Sequence, residues 1–141
     1  AKAIDLTKAN VALNFSNRTV HEAYTQDAFK YLEEVGNNYD LIVLDPPAFA
    51  KHKGALHNAI KGYTRLNGIA FKKIRKGGII FTFSCSQAVN KDQFRLAVFT
   101  AAAQSGRHVR ILHQLHQPED HPINIYHPEG EYLKGLVLQV E

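Results

Sequence analysis

The sequence predicts an α/β fold, because segments with helical and strand patterns alternate along its 141 residues. Two short apolar runs, Tyr39–Leu44 and Gly78–Phe83, have the length and composition of buried strands. No repeat, low-complexity tract or linker divides the chain, and a content of 45% hydrophobic and 21% charged residues suits one globular core. We therefore expect residues 1–141 to form a single domain.

The predicted elements follow from local patterns. The longest predicted helix ends before Lys76-Gly77-Gly78, since basic residues and glycine commonly stop helices. The segment Gln117–Tyr132 carries three of the five prolines and fits neither the helical nor the strand period. In chain order we expect helices at about Ala3–Leu13, Ala28–Val35, Leu56–Ile74 and Asp92–Gln104, and strands at Val20–Tyr24, Leu41–Leu44, Ile79–Phe83, Val109–Leu115 and Leu133–Val140.

An acid and a thiol directly follow the two apolar runs. Asp45 opens the segment Asp45–Phe49, and Cys85 is the centre of Ser84-Cys85-Ser86. Ligands of open parallel sheets bind outside the carboxyl ends of the strands, so both side chains are expected at one edge of the sheet. A thiolate is a nucleophile and a nearby carboxyl group handles protons, which suits attack on a ring that needs protonating.

Each of these residues taken alone also has a purely structural explanation. Pro46 and Pro47 remove backbone donors and fix φ, so Asp45-Pro46-Pro47 is equally well explained as a rigid exit from a strand. Free cysteine is among the most buried residue types, and Cys85 by itself is better explained as a structural thiol. Only the combination of the two favours a catalytic site.

Four motifs in this order carry a resemblance to a known family: Asp45–Phe49, Gly77–Ser86, Asp120-His121-Pro122 and Glu129–Gly135. The chain resembles, from about Asp5 to its end, the S-adenosylmethionine-dependent cytosine-5 methyltransferases of large-subunit (23S) ribosomal RNA that carry an RNA-binding PUA domain. The Ser-Cys-Ser segment is the specific part, because related guanine methyltransferases also have an aspartate-proline-proline loop.

The resemblance implies a role for each residue near the two strand ends. Cys85 is the implied nucleophile that adds to C6 of cytosine, and Asp45 hydrogen-bonds or protonates the ring at N3. Pro46 and Pro47 help to hold the base edge, and Asp45 and Pro46 also border the cofactor. Ala48 stands where some RNA cytosine-5 methyltransferases have a second cysteine, so product release requires a different base.

The implied cofactor is S-adenosylmethionine, but its glycine-rich turn and ribose-binding acid have no counterpart in the sequence. The resemblance places both upstream of Ala1, so we expect a partial class I (Rossmann-like) methyltransferase sheet lacking its first two strands, the C-terminal portion of a catalytic domain. Asp27 and Phe29 resemble the family's contacts to adenine. Asp27 is equally well explained as an acid at the N-terminus of the following helix.

A sheet that lacks those strands exposes an edge at Leu41–Leu44, and exposed edges pair with other chains. We therefore expect either a changed strand order or self-association as a homodimer through this edge.

Composition adds a modest expectation about partners and location. The net charge of +4 favours an anionic partner, in keeping with ribosomal RNA, and Lys51 and Lys53 are candidates to contact its phosphates. One cysteine, no secretory pattern and no apolar run of ~18 residues predict a cytoplasmic protein without membrane contact. The spacing of His113, His116, His121 and His127 does not predict a metal site.

Two other functions stay open at this point. One is a guanine methyltransferase of the same fold, and the other is a catalytically inactive domain that contacts RNA or a second copy of itself. The inactive domain stays an open alternative because the sequence lacks the glycine-rich turn.

Overall fold

The computed structural model describes residues 2–15, 20–50 and 53–141. Its chain divides into two units, Ala1–Tyr31 and Leu32–Glu141. The second unit contains the sheet and the predicted catalytic residues Asp45 and Cys85.

The first unit contains helix α1 (Lys2–Asn14) and the beginning of helix α2 (Ala28–Glu34). The strand predicted at Val20–Tyr24 is wrong, because these residues have no regular secondary structure. An extended segment becomes a strand only when a neighbouring strand takes up its backbone hydrogen bonds. None of the described strands pairs with Val20–Tyr24.

The other predicted elements are present, most of them with shifted ends, and the strand Val109–Leu115 has the predicted bounds. Two short 3-10 helices are added, at Lys53–Ala55 before α3 and at Pro128–Gly130 before β4. In chain order the remaining elements are β1 (Tyr39–Leu44), α3 (Leu56–Lys73), β2 (Ile74–Ser84), α4 (Lys91–Ser105), β3 (Val109–Leu115) and β4 (Lys134–Val140).

The second strand begins earlier than the sequence pattern indicates. Helix α3 ends at Lys73, and Ile74 is already extended and pairs with Tyr39 of β1. The next paired residues are Leu41 and Ile79, so the register shifts across the intervening segment. Gly77 has a φ of 81°, which glycine adopts without the steric cost of a side chain, and this allows the irregular stretch.

The four described strands form one mixed sheet in the order β1-β2-β4-β3. Strands β1 and β2 are parallel, whereas β4 is antiparallel to both β2 and β3. The α/β prediction is confirmed. Strand β1 lies at one end of the described sheet, in agreement with the expected open edge, and its Leu41 and Val43 are 52% and 57% exposed. Self-association through that edge stays a prediction.

Helix α3 supplies the centre of the core. Its buried residues Ala59, Tyr63, Leu66 and Ala70 recur every three or four positions and therefore share one helical face. This face packs along α4, whose Ala97 and Ala101 are fully buried. The arrangement fixes Tyr63 beneath the carboxyl ends of β1 and β2.

Candidate active site

The loop after β1 holds the first group of predicted site residues. Leu44, the last residue of β1, is buried and pairs with Thr82 of β2, and the Asp45 side chain that follows is exposed. Pro46 is half-buried and Pro47 is exposed. The carboxylate therefore faces solvent at the edge where β2 also ends, as the parallel pairing predicts.

The thiol lies directly beside this loop. Cys85 follows the last residue of β2 and is partly exposed, and its Sγ lies 3.9 Å from the Pro46 carbonyl oxygen, to which the thiol donates. The structure therefore brings together Cys85 and the Asp45-Pro46-Pro47 loop. A partly exposed thiol suits a nucleophile better than a structural core residue.

The two serines beside Cys85 join the loops more tightly than the thiol does. Both side chains are fully buried. The Ser84 hydroxyl donates to the Tyr63 hydroxyl at 2.9 Å, and the Ser86 hydroxyl donates to the Ala50 carbonyl at 2.6 Å. Ser84 and Ser86 thus anchor the chain on either side of Cys85, one to α3 and the other to the loop after β1.

Tyr63 is the residue that connects α3 to both loops. Its hydroxyl takes part in hydrogen bonds with Ser84 and with the Phe49 backbone, and its ring packs against those of Phe49 at 4.7 Å and Phe94 at 5.3 Å between centroids. Burial raises the pKa of Tyr63 above its ordinary value, and the hydrogen bonds from Ser84 and Phe49 oppose that rise. Tyr63 is therefore a neutral support of the site at physiological pH.

A buried lysine lies beneath the turn that follows Cys85. The Lys134 ammonium donates to the Ser86 carbonyl at 2.6 Å and to the Val89 carbonyl at 2.7 Å, and the side chain is only 6% exposed. Burial lowers the pKa of Lys134, whereas the negative charge of the Cys85 thiolate raises it. The sequence analysis did not identify Tyr63, and it included Lys134 only within the motif Glu129–Gly135, without a role of its own.

The irregular segment before β4 borders the same turn. The Gln87 amide donates to the Glu129 carbonyl at 3.3 Å, and Lys91 forms an ion pair with Glu131. The hydrogen bond and charge of Lys91 hold the pKa of Glu131 below its ordinary value. The resemblance motif at residues 129–135 therefore lies next to Cys85 in space.

The predicted adenine contacts belong to the first unit. The Asp27 carboxylate accepts a hydrogen bond from the Lys30 backbone N–H at 3.0 Å, as expected of an acid at the start of a helix. This agrees with the structural explanation of Asp27. Phe29 is half-buried within α2. Their role as cofactor contacts stays a prediction.

The predicted phosphate contacts are not described. Lys51 and the side chain of Lys53 lie outside the described residues. Within the described ranges, no group of three or more His, Cys, Asp or Glu side chains could hold a metal ion. In the same part of the chain, no helix is both long and apolar enough to cross a bilayer.

Curated proteins similar to this chain share one name. "Ribosomal RNA large subunit methyltransferase I" of Tolumonas auensis is 43% identical over 140 residues, which cover 97% of this chain and 35% of the relative. The proteins of the same name from Shewanella denitrificans and Aeromonas hydrophila are 42% and 41% identical. The chain spans about a third of the length of these relatives. No protein-family model matches it.

Solved structures of methyltransferases share the fold. A protein assigned as a methyltransferase and crystallised in complex with SAH superposes with a TM-score of 0.80 at 21% identity, and the match covers 99% of this chain and 37% of that protein. A Streptococcus mutans protein assigned as a SAM-dependent methyltransferase gives a TM-score of 0.79 at 20% identity. The match covers 99% of this chain and 36% of the Streptococcus mutans protein. The fold is therefore a partial, Rossmann-like version of that found in SAM-dependent methyltransferases.

Proposed function

We propose that this chain is part of an enzyme that transfers a methyl group from S-adenosylmethionine to C5 of a cytosine in large-subunit ribosomal RNA, through a covalent adduct with Cys85. The names and identities of the curated relatives support ribosomal RNA methylation. The neighbour crystallised with SAH supports the cofactor, because SAH is what S-adenosylmethionine becomes after losing its methyl group. The choice of cytosine C5 rests on Cys85.

The observation that carries the proposal is the placement of the only cysteine of the chain. Cys85 is partly exposed, directly follows a parallel strand and lies 3.9 Å from the Pro46 carbonyl of the neighbouring loop. A guanine methyltransferase needs no thiol at this position. A purely structural cysteine would be expected within the core rather than at a solvent-facing strand end.

In the proposed reaction, the Cys85 thiolate forms a bond to C6 of the target cytosine, which makes C5 electron-rich. The cofactor supplies the electrophilic methyl group that C5 takes up. Asp45, carrying a proton, donates a hydrogen bond or that proton to the ring at N3, where negative charge develops. After a base removes the proton at C5, the bond between Cys85 and C6 breaks and the thiolate is regenerated. The target base must lie in a loop or be drawn out of its stack.

The residues near Cys85 fit part of the cofactor's chemistry. The Asp45 side chain is exposed at the strand edge, where its carboxylate form suits a cationic sulfonium centre and its protonated form suits N3 of the base. Asp27 would contact the adenine amino group, and Pro46 and Pro47 would hold the base. Lys51 and Lys53 would contact RNA phosphates. That residues 1–141 form the C-terminal portion of a catalytic domain is part of the same proposal.

Covalent trapping tests the proposal directly. RNA that carries 5-fluorocytidine at the target position cannot lose its C5 substituent as a proton, so the adduct with Cys85 accumulates. We expect a protein–RNA complex that survives denaturing electrophoresis for the wild type and not for Cys85→Ala. Gln104→Ala, an exposed change on α4, is the matched control and should trap RNA normally. Methyl transfer by Cys85→Ala at the wild-type rate contradicts cytosine-5 chemistry and favours the guanine alternative.

Calorimetry with S-adenosylmethionine tests the cofactor separately. Micromolar affinity of the 141-residue chain would show that these residues suffice for the pocket. Undetectable binding would show that residues 1–141 do not suffice, in keeping with the glycine-rich turn and ribose-binding acid that the resemblance implies and this sequence lacks.

A further inference from the structure

Lys134 is an unusual residue for the interior of this protein. It opens strand β4, in which Gln139 is the only other polar side chain, and the residue is 6% exposed. In the described part of the chain, no carboxylate forms an ion pair with its ammonium group, whose hydrogen bonds go to the carbonyls of Ser86 and Val89. A buried charge without a counterion is costly, and an apolar side chain of similar volume would normally be more stable there.

The two carbonyls that Lys134 binds belong to the turn immediately after Cys85. The Val89 N–H also donates to the Ser86 carbonyl, at 3.3 Å, so this turn is closed by its own backbone hydrogen bond. Asn90 then begins α4 with a capping box, in which its side chain accepts from the Gln93 N–H. The turn therefore already has local support, and holding it does not by itself require a charge.

The positive charge of Lys134 interacts with Cys85. The interaction of the Lys134 ammonium with the Cys85 thiolate is favourable, and it acts against the effect of burial on the lysine. A cation beside a cysteine favours the thiolate, which is the reactive form of the side chain. This gives the buried lysine a use that an apolar residue could not supply.

We propose that Lys134 is a positioning residue for the methyl-transfer site, which holds the turn after Cys85 and places a positive charge where it stabilises the Cys85 thiolate. The proposal deepens, and rests on, the function in which Cys85 is the nucleophile. Lys134 acts through Cys85 and is not assigned a contact with the base or the cofactor.

The other ionisable groups near the thiol come from α3, α4 and the loop after β1. From α3, Tyr63 faces the thiol as a buried neutral hydroxyl, and from the loop after β1 comes the exposed Asp45 carboxylate. From α4, Lys91 interacts with Lys134 but is exposed and paired with Glu131. Lys134 is thus the only buried cation that the described residues place beside Cys85.

The single cysteine makes the test specific, because Cys85 is the only thiol that iodoacetamide can alkylate in the 141-residue chain. The rate of reaction with iodoacetamide is measured between pH 6 and 10 for the wild type, Lys134→Met and Lys134→Arg. Methionine keeps the length of the side chain without its charge. We expect Lys134→Met to be alkylated about tenfold more slowly than the wild type at neutral pH, because loss of the neighbouring cation disfavours the thiolate. Arginine should restore most of the wild-type profile.

Lys91→Met is the matched control, since it removes an exposed cation near the same turn. Its profile should stay close to that of the wild type. A Lys134→Met profile that coincides with that of the wild type overturns the proposal, even if the variant melts at a lower temperature, because a merely structural clamp would affect only melting.

A second measurement applies if Lys134→Met does not fold. The rate ratio of iodoacetate to iodoacetamide is compared between the wild-type chain and N-acetylcysteine, because a buried cation attracts the anionic reagent. A higher ratio for the protein supports the proposal, and an equal or lower ratio overturns it. Alkylation tests the effect of Lys134 on the thiol, whereas methyl transfer tests the proposed function. A shifted profile together with full methyl transfer by Cys85→Ala would refute the proposed function while leaving the effect of Lys134 on the thiol established.

Discussion

Replacing Tyr63 by phenylalanine removes one hydroxyl group from the support of both loops. The ring still packs against Phe49 and Phe94, but the hydrogen bonds with Ser84 and the Phe49 backbone are lost. Buried polar groups left without partners typically cost about 1 to 3 kcal/mol of folding free energy. We therefore expect Tyr63→Phe to lower the free energy of unfolding by about 2 kcal/mol, mainly because the Ser84 hydroxyl and the Phe49 backbone are left without their hydrogen-bond partner.

A double-mutant cycle assigns this loss to the Ser84 contact. Ser84→Ala removes the donor at 2.9 Å, and the double variant should be less destabilised than the sum of the single changes by about 1 kcal/mol. Urea unfolding at pH 7, followed by circular dichroism, measures all four proteins. Tyr126→Phe is the control, because Tyr126 is 86% exposed and its change should stay within about 0.5 kcal/mol.

The pH dependence gives an independent check. The pKa of Tyr63 is raised in the folded state above its ordinary value of 10.0, so its contribution is complete below that pH. Above pH 10.0 the unfolded state loses the proton while the folded state keeps it, and the contribution declines. The stability gap between the wild type and Tyr63→Phe should therefore narrow between pH 9.5 and 10.5. A gap that is constant or widens there, or a coupling near zero with Ser84→Ala, refutes the reasoning.

Further predictions concern the capping of α4, the packing of β4 and the open edge. Asn90→Ala removes the capping box and should cost about 1 kcal/mol in urea unfolding. Gly135→Ala should lower the melting temperature, because the new Cβ would lie 2.6 Å from the Phe83 ring; a melting temperature equal to that of the wild type would contradict this. Val43→Lys, on the exposed side of β1, should abolish any concentration-dependent dimer seen by analytical ultracentrifugation. A dimer that persists in this variant would exclude the β1 edge as its interface.

Local pattern was enough to predict most elements of the sheet and its helices. The apolar spacing of α3 and the short apolar run before Asp45 are local signals, and both elements are present. Val20–Tyr24 also has a strand-like pattern but no partner among the described strands. Strand formation depends on a neighbour, which composition alone does not reveal.

The residues at the two strand ends could be predicted from the sequence, whereas the roles of the residues that support them could not. Asp45, Pro46 and Cys85 adjoin strand ends, where topology alone brings them together. Tyr63 is one member of an apolar helical face, and nothing in the sequence distinguishes its hydroxyl from a core packing residue. Lys134 did carry a signal, since a charged residue opening an apolar strand calls for a partner.

The hydrogen bonds beside Cys85 also determine how well a cysteine variant can test the chemistry. The thiol contributes one weak contact, at 3.9 Å to the Pro46 carbonyl, whereas the Ser86 hydroxyl bonds the Ala50 carbonyl at 2.6 Å. Lys134 holds the following turn through backbone carbonyls, which any side chain at position 85 leaves in place. Cys85→Ala should therefore keep both loops in position and unfold within about 1 kcal/mol of the wild type. Loss of the covalent adduct in a variant of unchanged stability would then follow from the missing sulfur itself, and a strongly destabilised variant would contradict this account of the site.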